Sequence, residues 1–186
     1  SVLPGTALVA YGHGDWNDSL QPADPSMTRA MTSAWTVTLH HQALTTLADG
    51  LEAADAGRPE LVRQLRAGAS AVRADLHRVL LVYGELAGYA LLPGRGADPR
   101  LLVHPRDAET GLRHGALQVV HALGADLLDP AQAAHHVDLV REPLLGVDGL
   151  RLFDRPPGYH GGLMRHFQRA ETATFVGREI GLMYVH

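Results

Sequence analysis

The chain has 186 residues, 46% apolar and 19% charged, which describes a globular domain with a core and excludes a disordered segment. Its net charge of −4, with no long basic run, argues against nucleic acid as a main partner. The absence of cysteine excludes a disulfide framework and thiolate metal sites, and no run of about 18 apolar residues is present to span a membrane.

The first residues, Ser1-Val2-Leu3-Pro4-Gly5, lack the basic and apolar regions of a signal peptide, and with the missing cysteines this predicts a cytoplasmic protein. Both ends read as cuts through something larger. The chain begins a few residues before its most informative motif and stops in Tyr184-Val185-His186 without a polar tail.

That motif is Gly12-His13-Gly14-Asp15-Trp16-Asn17-Asp18. Each residue type has a use in a sugar site. An indole face packs on the C–H face of a pyranose, and an Asn amide donates to and accepts from hydroxyls. A carboxylic acid can protonate a glycosidic oxygen as its bond breaks. A calcium loop counted from Asp15 would need Gly and Glu where Leu20 and Ser26 stand. A plain turn capped by the two Asp side chains is the simpler alternative, but it has no need of an indole. Gln21-Pro22-Ala23-Asp24-Pro25 then reads as a rigid loop.

Met27, Met31, Trp35, Leu39, Ala43, Leu47 and Leu51 recur every four residues and predict a long amphipathic helix, with Ser26 as its N-cap. A second helix opens at Pro59 and carries Leu61, Leu65, Ala69, Val72, Leu76 and Val79 on one face. Residues 82–89 are too glycine-rich for a helix interior and read as a short extended piece. A Pro/Gly loop over 93–99 and a short strand at 101–104 follow. Leu112, Ala116, Val119, Val120 and Leu123 suggest a modest helix. Asp129-Pro130-Ala131-Gln132 predicts a capped helix start, with Ala133, Val137, Val140 and Leu144 facing inward. Residues 146–160 read as loop, and 161–186 show no firm period. Antiparallel pairs of long helices joined by long loops predict an all-α fold. An α/α toroid and an irregular bundle share this pattern.

Twelve histidines include the adjacent pairs His40-His41 and His135-His136. Neighbours on a helix point about 100° apart, so neither pair makes a metal site. Each pair is expected to have one surface and one packed member, and no metal is predicted. No GxSxG elbow, Walker loop or dinucleotide fingerprint occurs, and no cofactor is predicted. Arg165-His166-Phe167-Gln168-Arg169-Ala170-Glu171 and Gly177-Arg178-Glu179-Ile180-Gly181 gather arginine, carboxylate and glycine without an amphipathic period. They read as an ion-paired surface loop or as an anion or sugar site.

Gly14-Asp15-Trp16-Asn17-Asp18 resembles the acid motif of the inverting β-glycoside phosphorylases, glycoside hydrolase family 94. That family includes the cellobiose, chitobiose and β-1,2-oligoglucan phosphorylases and the C-terminal part of cyclic β-1,2-glucan synthases. The resemblance extends over most of the chain, through His104-Pro105-Arg106-Asp107, Thr110-Gly111, Asp148-Gly149, Arg151-Leu152, Asp154-Arg155-Pro156 and residues 177–184. It points to a less characterised branch. It implies that residues 1–186 form a single domain, the C-terminal portion of an (α/α)6 catalytic barrel.

The resemblance also implies roles. Asp18 would be the general acid, Trp16 would help build the −1 sugar site, and Asp15 and Asn17 would support or bind the sugar. Arg178 and Glu179 would also contact substrate. His186 would contact phosphate, at the end of a stretch that resembles a glycine-containing phosphorylase motif but lacks its Asn and second Gly. Inorganic phosphate would be the co-substrate, an oligosaccharide or β-glucan the substrate, and any homodimer would form through the full-length protein. Phosphate is already an anionic nucleophile, so one acid suffices. Asp15 would help keep Asp18 protonated by like charge. An inverting hydrolase on the same scaffold is the alternative, with Glu171 or Glu179 as base at about 6.5–9.5 Å from the acid. A carbohydrate-binding domain with a degenerate site is the third reading. Parts the family needs are absent from the chain, so the isolated segment is expected to be inactive.

Overall fold

A computed structural model describes residues 1–12, 21–94, 98–147, 149–155 and 167. Among these residues the chain is a mixture of helices and small antiparallel sheets, which overturns the expected all-α barrel portion. The helices are α1 (Ala34–Ala53), α2 (Pro59–Val79), α3 (Ala116–Gly124) and α4 (Pro130–Leu144). The strands are β1 (Met31–Ser33), β2 (Leu81–Val82), β3 (Glu85–Leu86), β4 (Tyr89–Leu91), β5 (Arg100–Leu102), β6 (Leu145–Gly146) and β7 (Gly149–Leu150).

The correction begins at residue 25. Pro25–Arg29 is a 3-10 turn capped by Asp24, whose side chain accepts from the Ser26 N–H at 2.8 Å. Ser26 is therefore not the N-cap of the long helix. Met31, Thr32 and Ser33 then pair with Leu91, Ala90 and Tyr89 of β4, which in turn pairs with β5. The four-residue spacing of Met27, Met31 and Trp35 thus crosses three kinds of backbone. Helix α1 begins only at Ala34 and buries Val37, Thr38, His41 and Ala48, while Leu39 and Leu47 are exposed.

The other helices lie close to where the sequence placed them, except that α3 starts at Ala116 and leaves Leu112, expected within it, in the preceding loop. Helix α2 starts with Pro at its first turn and packs along α1, burying Val62, Ala69, Val72, Leu76 and Val79. Leu61 is exposed, one position off the buried stripe. Helix α4 has the expected reciprocal capping box: Asp129 Oδ1 accepts from the Gln132 N–H at 2.8 Å, and Gln132 Oε1 accepts from the Asp129 N–H at 3.0 Å. Its buried polar member is His136, and Val137, expected inward, is exposed.

Two apolar clusters result. The first joins α1, α2, α3 and the N-terminal residues Leu3 and Leu8. The second lies around the three-stranded sheet and contains Tyr11, Met27, Met31, Tyr89, Leu91, Leu102, Leu112, Phe153 and Phe167. No helix among the described residues is long and apolar enough to cross a membrane.

Candidate functional site

The sequence motif is approached from both sides by fixed backbone. On the entering side, Tyr11 N–H donates to Met31 O at 2.7 Å and Gly12 N–H donates to Thr28 O at 2.9 Å. Thr32 Oγ1 adds a bond to Val9 O at 2.8 Å, so the N-terminal strap lies against β1. Gly12 has φ +69°, a left-handed conformation that redirects the chain toward the motif at little cost for glycine. On the returning side, Pro22 is buried and forms an antiparallel bridge with Phe167.

An aromatic stack lies between these two anchors. The Tyr11 and Tyr89 rings are 5.8 Å apart and the Tyr89 and Phe167 rings 5.1 Å apart, both tilted by just over 50°. Tilted pairs of this kind are favourable beyond the area they bury. Tyr89 comes from β4, so the sheet is the floor on which residues before the motif and a residue of the C-terminal stretch meet. Residues 165–171 include Phe167, and the Pro22 bridge therefore joins this arginine-rich stretch to the motif's return. Asp15, Trp16, Asn17, Asp18, Glu171, Arg178, Glu179 and His186 themselves lie outside the described residues. A groove of about 450 Å³ borders the returning segment, lined by Asp24, Ser26, Met27, Leu91, Pro93 and Arg100. Its volume is within the range of small-molecule sites. The Arg100 guanidinium on its rim is held by Glu109 in a two-pronged ion pair.

The His104-Pro105-Arg106-Asp107 segment and Thr110 form a knot beside this sheet. Asp107 is buried. Its Oδ2 accepts from Val103 N–H at 2.8 Å and from the Thr110 hydroxyl; its Oδ1 accepts from Glu109 N–H at 2.8 Å and Thr110 N–H at 2.9 Å. His104, also buried, accepts from Arg106 N–H at Nδ1, which leaves the proton on Nε2 to donate to Val82 O at 3.2 Å. Val103 is held at φ +54°, an outlier for a β-branched residue. Its side chain sits where a Cβ on Gly88 would come within 2.8 Å.

Through Val82 the knot reaches the β2–β3 hairpin, whose turn is Tyr83-Gly84 with φ +57° and +84°. Two positive φ values make a type I′ turn, where Asn, Asp or Gly is the usual first residue. A bulky side chain there costs about 1–2 kcal/mol. The Tyr83 ring is 68% exposed, and the Arg106 guanidinium lies 3.5 Å above its centroid. Such a stack at an exposed site returns only about 0.5–1 kcal/mol. Residues 82–89, expected as one short extended piece, are instead folded back at this turn, and nothing local in the sequence pairs residue 83 with residue 106.

Among the histidines, His135 is exposed and His136 buried, while His41 is buried beside the half-buried His40. No cluster of three or more candidate metal ligands occurs among the described residues. Asp154 clamps another backbone turn: its Oδ1 accepts from Arg113 and His114 N–H groups, both at 3.0 Å.

No protein-family model matches the chain. Over 184 residues it is 35% identical to a 1,2-beta-oligoglucan phosphorylase from Listeria innocua serovar 6a. The chain is related by descent to that phosphorylase. The match covers 99% of this chain, so the resemblance carried by residues 14–18 extends through the sheet, the knot and the C-terminal stretch alike. It covers 16% of the phosphorylase, so the chain spans about one sixth of its relative's length.

Proposed function

We propose that this chain is the acid-bearing part of an enzyme that cleaves β-linked oligoglucans with inorganic phosphate, inverting the anomeric centre. The observation that carries this reading is the 35% identity, extending over essentially the whole chain, to a 1,2-beta-oligoglucan phosphorylase. Asp18 protonates the leaving glycosidic oxygen while phosphate attacks from the opposite face. Trp16, Asn17 and Asp15 bind and orient the sugar, and Arg178, Glu179 and His186 contribute at the substrate and phosphate side. The anchoring supports this division of labour. Tyr11 and Gly12, entering the motif, are bonded to Met31 O and Thr28 O, and the Pro22–Phe167 bridge after it ties the segment's return to the stretch that leads toward Arg178.

The test is the full-length parent enzyme assayed on a β-1,2-linked oligoglucan with and without inorganic phosphate. Sugar phosphate forming only when phosphate is present is the expected result. Free reducing sugar formed without phosphate would favour hydrolysis and a carboxylate base. Asp18→Asn is expected to lower turnover by about 10²–10⁴, the usual worth of a positioned acid; wild-type turnover would remove Asp18 from that role.

A further inference from the structure

We propose that the outward face of the Tyr83 ring is a stacking platform for a pyranose ring of a glucan chain. The ligand class rests on the function proposed above; the platform rests on geometry. Tyr83 occupies the one turn position at which its backbone is strained, and burial gives it little in return, since the ring is 68% exposed. Its orientation is nonetheless fixed. Arg106 covers one face at 3.5 Å, and Arg106 belongs to a loop knotted by the buried Asp107. The hairpin that carries Tyr83 is bound to that loop through His104 Nε2 and Val82 O. An exposed ring held rigid, in a conformation that costs stability, marks a place where the ring is used rather than packed.

The surroundings favour a sugar over a protein. Arg106 is the charged group stacked on the ring, and Tyr83 is the one exposed large apolar side chain of the two loops that present it, among the described residues. A protein interface centres on a cluster of apolar anchors. A pyranose needs one flat apolar ring on which to lay its C–H face rather than a cluster of anchors, and the isolated Tyr83 ring provides that.

The turn chemistry supplies a test with two readouts of opposite sign. Asn is favoured where Tyr83 stands, so Tyr83→Asn should raise the melting temperature of the chain by about 2–4 °C. The same variant should weaken binding of a β-1,2-linked glucose pentasaccharide at least tenfold by calorimetry, while in the parent chain the NMR shifts of the Tyr83 ring should saturate with the same ligand. Tyr83→Phe should bind as the parent does, with ring shifts that saturate. Three results overturn the platform: unchanged binding by Tyr83→Asn, a lower melting temperature in that variant, or no shift of the Tyr83 ring while self-association depends on it. Saturable Tyr83 shifts in a chain whose parent enzyme does not phosphorolyse oligoglucans would uphold the platform and sink the proposed reaction. Phosphorolysis without Tyr83 shifts would do the reverse.

Discussion

Pro22 and Phe167 form an antiparallel bridge that joins the return of the Gly12–Asp18 motif to the C-terminal stretch, and Phe167 is 1% exposed against Tyr89. The Phe167 ring packs against Tyr89 within the second apolar cluster. Phe167→Ala should cost about 3–5 kcal/mol, the usual price of a large buried aromatic. Urea denaturation of the chain would read this as a lower midpoint. A midpoint equal to that of the parent chain would mean that the second apolar cluster does not depend on the C-terminal stretch.

Two glycines should fail for different reasons. Adding a methyl at Gly88 puts Cβ 2.8 Å from Val103 Cβ, and Val103 is pinned by Asp107, so it cannot step aside. Gly88→Ala should cost about 1–3 kcal/mol by overpacking. At Gly12 nothing lies within 4 Å of an added Cβ, and the cost is conformational, from φ +69°. Gly12→Ala should cost about 1 kcal/mol. Gly12→Asn should recover part of that loss, because Asn tolerates the left-handed region, whereas Gly88→Asn should be worse than Gly88→Ala. Equal responses at the two positions would contradict this distinction.

What the sequence disclosed follows from what is local. The capping box at Asp129 and Gln132 is legible because its partners are three residues apart, and Pro59 marks the start of α2 for the same reason. The start of α1 is not legible locally, because Met27, Met31 and Trp35 have helical spacing although only Trp35 is in the helix. Met31 is in fact held by Leu91 across a sheet, a pairing that no local period records. The buried face of α1 includes Thr38 and His41, and its exposed face includes Leu39 and Leu47, so hydrophobicity pointed the wrong way. The all-α expectation fell with that strand. At the site, the motif is read from residue types alone, and Asp15 to Asp18 lie outside the described residues. Its anchoring was not legible, because the Tyr11–Tyr89–Phe167 stack and the Arg106–Tyr83 contact join residues remote in sequence.

The Asp107 knot should behave as a structural unit. Asp107→Ala leaves three backbone N–H groups, at Val103, Glu109 and Thr110, without their acceptor. Each donor left unpaired away from water costs roughly 1–3 kcal/mol, and partial hydration of the outer two brings the expected total to about 3 kcal/mol. Asp107→Asn can keep its carbonyl oxygen on Glu109 and Thr110 but then turns an NH2 group toward Val103 N–H, so it should recover only part of the loss. Denaturation midpoints would order the three chains as parent, Asn, Ala. Because Arg106 sits on this loop, both variants should also broaden the Tyr83 ring signals.

Histidine burial gives the fold an acid limb. His136 Nε2 accepts from Leu86 N–H at 3.0 Å while Nδ1–H donates to Gln132 O at 2.7 Å, an arrangement that requires the neutral ring. Burial holds its pKa below the ordinary imidazole value, helped by His135 and opposed by Gln132 O and Glu85. His40 and His41 are lowered by burial as well, His41 further by Arg73 and His40. A histidine that resists protonation when folded but accepts it when unfolded makes the unfolded chain bind more protons. Stability is therefore fully present above about pH 6.5 and is lost as pH falls from there through the depressed folded values. Each such group can contribute a slope of at most about 1.4 kcal/mol per pH unit within that window. Melting temperatures measured from pH 8 to 5 should be flat at first and then fall. His136→Gln should make the fall shallower without abolishing it, since His40 and His41 remain. A melting temperature that rises on acidification across this window would contradict the neutral, buried assignment of these rings.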